Sequence, residues 1–155
     1  MSNGFFSRCY GGLVNVGTFF GHIILLIVRL YWGASLAITG FNKFLELDKI
    51  SALFASLNLP FPTATAIFVA TVELIGGASL FLGLFSRVMS FILIILFWGA
   101  YVIAHSEALW NVFSNPNGFL MEAPFLYLYA ATLVFCFGAG FASFDFWLER
   151  KRRQA

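Results

Sequence analysis

The chain has 155 residues, of which 61% are hydrophobic and only 10% are charged, and its formal net charge is +2. Globular domains carry about a quarter charged residues, so a mean hydropathy of +0.89 excludes an ordinary soluble domain and indicates a membrane protein. We expect one domain, residues 1–155, with no separate catalytic module. Cys9 and Cys136 belong to no Cys-x-x-Cys motif or Cys/His cluster, which argues against thiol–disulfide exchange and a structural zinc site.

Four segments are apolar enough, and close enough to the required length of about 20 residues, to span a bilayer as helices. In chain order they are residues 17–42, 63–85, 88–104 and 123–144. Arg29 alone interrupts the first segment with a charge, and Glu73 alone interrupts the second. The sequence therefore predicts an all-α integral membrane protein built as a four-transmembrane-helix bundle.

An amphipathic helix is expected between the first two spans, from Lys43 to Leu57. Apolar residues recur there at helical spacing, at Leu47, Ile50, Phe54 and Leu57. Charged residues occupy another face, and Pro60 and Pro62 end the pattern before the second span. This composition is typical of a helix lying on a membrane surface, here the outer one.

The basic residues predict the orientation of the chain in the membrane. Six of the nine fall on one side of a four-span topology: Arg8, Arg87, Arg150, Lys151, Arg152 and Arg153. Because basic residues are retained in the cytoplasm, both termini are expected there. The Arg-Lys-Arg-Arg run determines topology in this interpretation and also attracts anionic lipid. No domain presents these residues to nucleic acid, so a nucleic-acid partner is not expected.

Arg29 and Glu73 are the first candidates for a functional site. At 1.5 Å per residue, they lie about 18 Å and about 15 Å from the outer ends of their spans. Charges at bilayer depth are costly and face a partner or a wet cavity, so we predict that these two side chains meet. The pair then either holds the helices in register or also lines a ligand cavity, where it would bind a quinone headgroup.

Small residues lie on the same helix faces as these two charges. Gly33, Gly40 and Lys43 share a stripe with Arg29, and Gly77 shares one with Glu73. Small residues let transmembrane helices approach closely. If a cavity exists, these four residues are expected to line it.

A second polar group is expected at the outer face. It comprises Tyr101, His105, Glu107 and Glu122. A histidine and two carboxylates can ligate a metal, but their spacing matches no metal motif, so the prediction is an interfacial polar rim without metal. At the cytoplasmic end, Asp145 either caps the tail helix or pairs with Arg87.

Several stretches of the chain resemble a known family. They are RLYWGASLAITGFNKF, ASLNLPFPTATAIFVATVELIGGASLFLGLFSR and GAGFASFD, within residues 25–150. The most specific part is an ordered set of residues: Arg29, Gly40, Lys43, Pro60, Pro62, Glu73, Gly77, Gly83 and Arg87. With these residues in this order, the chain resembles the DoxX family of small bacterial four-helix membrane proteins.

The resemblance implies a multi-pass protein of the bacterial inner membrane. It further implies a non-catalytic subunit of a quinone-linked redox or oxidative-stress complex, with a quinone as cofactor and a soluble or membrane-bound redox protein as partner. Two alternatives stay open: a carrier for a small or lipid-like solute, and an envelope assembly factor without ligand. Whether the chain is an enzyme, and whether it forms a homo-oligomer, stays open as well.

Overall fold

The structure is a computed structural model that describes residues 3–152, and within that range the chain forms eight helices and no strand. They are α1 (Asn3–Leu45), α2 (Leu47–Ser56), α3 (Pro62–Leu82), α4 (Ser86–Ala104), α5 (Ser106–Trp110), α6 (Pro116–Met121), α7 (Ala123–Phe137) and α8 (Phe144–Arg152). The predicted all-α class is thereby confirmed. Arg153 of the predicted basic tail lies outside the described residues.

Three of these helices contain segments long and apolar enough to cross a membrane: Arg8–Leu45, Pro62–Leu82 and Ser86–Ala104. The first extends well beyond the predicted 17–42, because α1 contains no proline and continues through the glycines near its start. The predicted fourth span corresponds to α7, an apolar helix of 15 residues. Its length is about 22 Å, less than the roughly 30 Å of a hydrocarbon core.

Glycines in left-handed conformations end two helices earlier than predicted. Gly83 has φ 71° and stops α3 at Leu82, so α3 does not reach residue 85. Gly138 has φ 77° and stops α7 at Phe137, so residues 138–143 form a loop and not the end of a span. A residue without Cβ adopts this backbone conformation without steric cost, which explains both stops.

The four longest apolar helices contact one another in a closed order. α1 packs along α3, α3 contacts α4, α4 packs against α7, and α7 contacts α1. All four contribute to one apolar core, made of Leu36, Leu80, Leu93, Phe97, Tyr101, Leu128, Ala131 and Val134. Each also exposes large apolar side chains, among them Ile24, Phe68, Ile95 and Phe135. Apolar helices exposed in this way imply a lipid bilayer around the chain.

The predicted helix between the first two spans is α2, although α1 takes the first residues of the predicted stretch. Its apolar residues Leu47, Ile50 and Phe54 are half-buried, and α2 contacts α3. A hydrogen bond of 2.7 Å joins Ser51 Oγ to Thr63 Oγ1 at the start of α3. The location of α2 on a membrane surface stays a prediction.

Candidate functional site: two buried charges at opposite ends of the α1–α3 interface

Glycines set the spacing and register of the α1–α3 interface. A Cβ on Gly33 would lie 2.7 Å from the backbone N of Phe81, and one on Gly40 would lie 2.5 Å from that of Leu74. A Cβ on Gly77 would lie 2.7 Å from the carbonyl oxygen of Gly33. The three glycines therefore pack against helix backbone. The prediction that they line a cavity is wrong, whereas the close helix approach expected of small residues is present.

This register separates the two charges that we expected to meet. Arg29 lies beside Gly83, where an added Cβ would be 2.5 Å from Arg29 Nη1. Glu73 precedes Gly83 by ten residues, or about 15 Å along the helix. The predicted Arg29–Glu73 ion pair does not form. The depth estimate was wrong because it counted from predicted helix ends, and the glycine contacts that determine the register cannot be counted in that way.

Glu73 pairs instead with Lys43. Lys43 Nζ lies 2.6 Å from Glu73 Oε1, and the two side chains are 22% and 6% exposed. The second carboxylate oxygen, Oε2, is buried and has no hydrogen-bond partner. The pair thus joins a half-exposed ammonium to a buried carboxylate that has one oxygen unsatisfied. Lys43 was expected at the site as a lining residue, but its role as the counter-charge was missed.

Arg29 binds backbone carbonyls. Its residue is 3% exposed, and its Nη1 and Nη2 donate to the carbonyl oxygens of Ala139 and Ala142. These carbonyls belong to the loop that follows α7, where the backbone N–H groups of a helix are not available as donors. Non-helical backbone is tolerated at membrane depth when protein groups satisfy it, and Arg29 does so here. The glycines within GAGFASFD were the sequence feature that could have indicated a loop in need of donors.

Asp145 joins the ends of three helices. Its carboxylate accepts hydrogen bonds from the backbone N–H groups of Phe85 and Ser86, each at 2.8 Å, and so caps the start of α4. Its own N–H donates to the carbonyl oxygen of Gly83 at 3.0 Å. No ion pair with Arg87 forms, because Asp145 faces the α3–α4 turn while Arg87 lies near Gly138. Both predicted roles of Asp145 are therefore wrong, since the helix that it caps is α4 and not its own.

The outer group is divided between surface and core. His105 Nδ1 lies 2.8 Å from Glu122 Oε2, which brings two of the four predicted residues together. Tyr101 is fully buried, and its hydroxyl donates to the carbonyl oxygen of Phe119 at 2.7 Å, so it belongs to the core, while its ring contacts that of His105 with the ring centroids 6.0 Å apart. Glu107 shares no contact with the pair through its side chain, and its carbonyl accepts from Asn111. The described residues contain no group of three or more His, Cys, Asp or Glu side chains that could hold a metal.

A hydroxyl cluster between α1 and α7 was missed. Ser35 Oγ and Tyr127 Oη lie 2.9 Å apart, and Thr39 Oγ1 lies 3.4 Å from the same Tyr127 oxygen. Ser35 and Thr39 are one helical turn apart on α1, which is the only sequence pattern that could have identified them. Hydrogen bonds of this kind hold transmembrane helices together.

The comparisons with known proteins give one positive finding. The family model described as DoxX matches residues 24–106, which include Arg29, Lys43 and Glu73 but not α7 or the loop bound by Arg29. No curated protein and no solved structure matches the chain. Because the family match covers more than half of the 155 residues, this multi-helix membrane protein belongs to the DoxX family.

Proposed function

We propose that the chain crosses the bacterial inner membrane four times and has both termini in the cytoplasm. α7 and the loop 138–143 would together complete the fourth crossing. The hydrogen bond from Arg29 to the buried carbonyl of Ala139 supports this, since it satisfies a backbone group of the loop that lipid cannot. An even number of crossings also places Arg8, Arg87 and Arg150 on one side, as retention of basic residues in the cytoplasm requires.

Within that membrane, the chain acts as a non-catalytic subunit of a quinone-linked redox or oxidative-stress complex, and the Lys43–Glu73 site binds the quinone headgroup. The observation that carries this proposal is the unpartnered Oε2 of Glu73, on a residue that is only 4% exposed. A buried polar atom left without a hydrogen bond costs about 1–3 kcal/mol, and a charged one costs more. The hydroxyl of a headgroup bound in its reduced, quinol form would donate a hydrogen bond there and recover this free energy.

The two side chains suit such a headgroup. Lys43 carries donors only, so it can donate to a carbonyl oxygen. Glu73 can accept at Oε2 a hydrogen bond from the hydroxyl of the reduced quinol, or, when protonated, can donate one to a quinone carbonyl. When bound, a quinone supplies two-electron redox chemistry. The contribution of this chain is to orient the polar headgroup and to offer a proton-accepting oxygen away from bulk water.

Mass spectrometry of the tagged chain, extracted in mild detergent, tests the proposal. We expect the wild-type protein to retain quinone and a soluble redox protein at near-equal amounts. Glu73→Gln and Lys43→Met should each reduce the retained quinone about tenfold or more, since each removes a hydrogen bond to a charged group. Glu122→Gln is the matched control, because it makes the same chemical change at the half-exposed pair with His105.

A double variant keeps this test independent of folding. Removing one partner of a buried ion pair leaves an uncompensated charge, whereas replacing both by apolar residues is often tolerated. Lys43→Met combined with Glu73→Leu should therefore elute as a folded protein and still lack quinone. A wild-type preparation with neither quinone nor a redox protein would refute the proposal and favour the carrier or assembly alternatives.

A further inference from the structure

The short helix α8 is fastened to the end of the molecule where α3 stops and α4 starts. Asp145 makes this attachment through its carboxylate, bound to Phe85 and Ser86, and through its N–H, bound to Gly83. Both α3 and α4 are long enough to cross a membrane, so the turn between them lies at the edge of the hydrocarbon core. α8 therefore begins at the boundary between membrane and water.

A groove lies beside α8 at this boundary. It has a volume of about 340 Å³ and is lined by Leu82, Ala142, Ser143, Phe144 and Trp147. The two aromatic side chains are 51% and 57% exposed, which leaves most of their ring surface open. Tryptophan at this depth is typical of the headgroup region, where an apolar ring meets a polar environment.

An exposed positive charge lies against one of the residues that line the groove. Lys151 Nζ is 5.5 Å from the centre of the Trp147 ring, and Arg150 and Lys151 are both exposed. Residues 144–153 contain four basic residues against two acidic ones, and the carboxylate of Asp145 is already engaged by the start of α4. An apolar groove next to a helix that carries exposed cations is complementary to an amphiphile with a negative headgroup.

We propose that α8 and this groove form a binding site for an anionic phospholipid, with an acyl chain against Phe144 and Trp147 and the phosphate at Arg150 and Lys151. Basic residues next to a membrane surface attract anionic lipid, and here Asp145 holds the helix that carries them in place. The site lies at the end of α3, whereas Ser51 contacts the start of that helix. The proposal does not depend on quinone binding.

Quenching of Trp147 fluorescence by brominated lipid tests the site. The protein is reconstituted in nanodiscs of phosphatidylcholine that contain a small fraction of brominated phosphatidylglycerol, and Trp147→Phe gives the contribution of the other tryptophans. We expect phosphatidylglycerol to be enriched at Trp147 over its bulk fraction. Arg150→Gln and Lys151→Gln should each weaken that preference about fivefold, as expected for one basic residue near the surface.

Lys49→Gln is the control, because it removes one exposed positive charge from α2 and should leave the quenching unchanged. All three basic residues are exposed, so their replacement leaves the packed helices intact. Raising the salt concentration should also reduce the preference, since exposed charges are screened. Equal quenching by brominated phosphatidylglycerol and brominated phosphatidylcholine in the wild-type protein would overturn the proposal. An undiminished preference for phosphatidylglycerol in a variant that carries both Arg150→Gln and Lys151→Gln would overturn it as well.

Discussion

Replacing Arg29 by methionine should destabilise the protein by about 2–3 kcal/mol. A hydrogen bond from a charged donor contributes about 1.5–3 kcal/mol, and Arg29 makes two. The hydrogen bond to Ala139 should contribute its full free energy, because that residue is only 8% exposed and its carbonyl would be left without a donor. Ala142 is exposed, so water can replace the second bond and its loss adds little. Methionine keeps much of the side-chain volume, which limits any cavity contribution.

The free energy of unfolding can be measured by titrating the purified protein with sodium dodecyl sulfate in mixed micelles and following helical circular dichroism. Arg87→Met is the matched control, since Arg87 is an exposed arginine near the same loop and no ion pair with Asp145 forms. We expect that variant to remain within about 0.5 kcal/mol of wild type. Arg29→Lys should fall between the two, because an ammonium keeps the charge but lacks the fork that reaches both carbonyls.

Hydrogen exchange localises the effect. In Arg29→Met the amides of residues 138–143 should exchange faster, while those in the middle of α3 keep their protection, because only the loop loses its donors. Equal stability of Arg29→Met and Arg87→Met would contradict the assignment of Arg29 to the loop. Faster exchange centred on α3 near Glu73 would instead support the ion pair that the sequence suggested.

Two further predictions concern the α1–α3 interface. The first uses double-mutant cycles on the same free energy of unfolding. Lys43→Met and Glu73→Gln should couple by at least about 0.5 kcal/mol, whereas the effects of Arg29→Met and Glu73→Gln should be additive. Coupling between Arg29 and Glu73 alone would show that our assignment of partners is wrong. Gly40→Ala should weaken folding by about 1–3 kcal/mol through overpacking, since its Cβ would lie 2.5 Å from the backbone of Leu74. Gly99→Ala should be neutral or stabilising, because a Cβ added at Gly99 has no atom within 4 Å. Equal losses of stability at both glycines would show that the contact between Gly40 and Leu74 is unimportant.

The sequence was most informative about features that depend on a short stretch of the chain alone. Hydropathy located every long apolar helix, and isolated charges identified Arg29 and Glu73 as residues that need partners. The partners themselves depend on register, which backbone contacts at Gly33 and Gly40 determine and which hydropathy does not encode. The loop bound by Arg29 escaped prediction for a related reason: residues 138–143 are apolar enough to continue a span, and only the left-handed conformations of Gly138 and Gly140 show that the helix has ended.

The two buried charges differ in what remains available to a ligand, and this difference decides which of them can form a binding site. Arg29 Nε is also buried without a partner, but both terminal nitrogens already donate to protein carbonyls, so a ligand that takes those donors would have to displace the loop. Glu73 keeps a buried oxygen without a partner, and its counter-charge Lys43 is half-exposed. A ligand can therefore bind at Glu73 with no loss of protein hydrogen bonds, whereas at Arg29 it must first compensate for about 2–3 kcal/mol of broken ones. We accordingly assign Arg29 to the fold and Glu73 to the site.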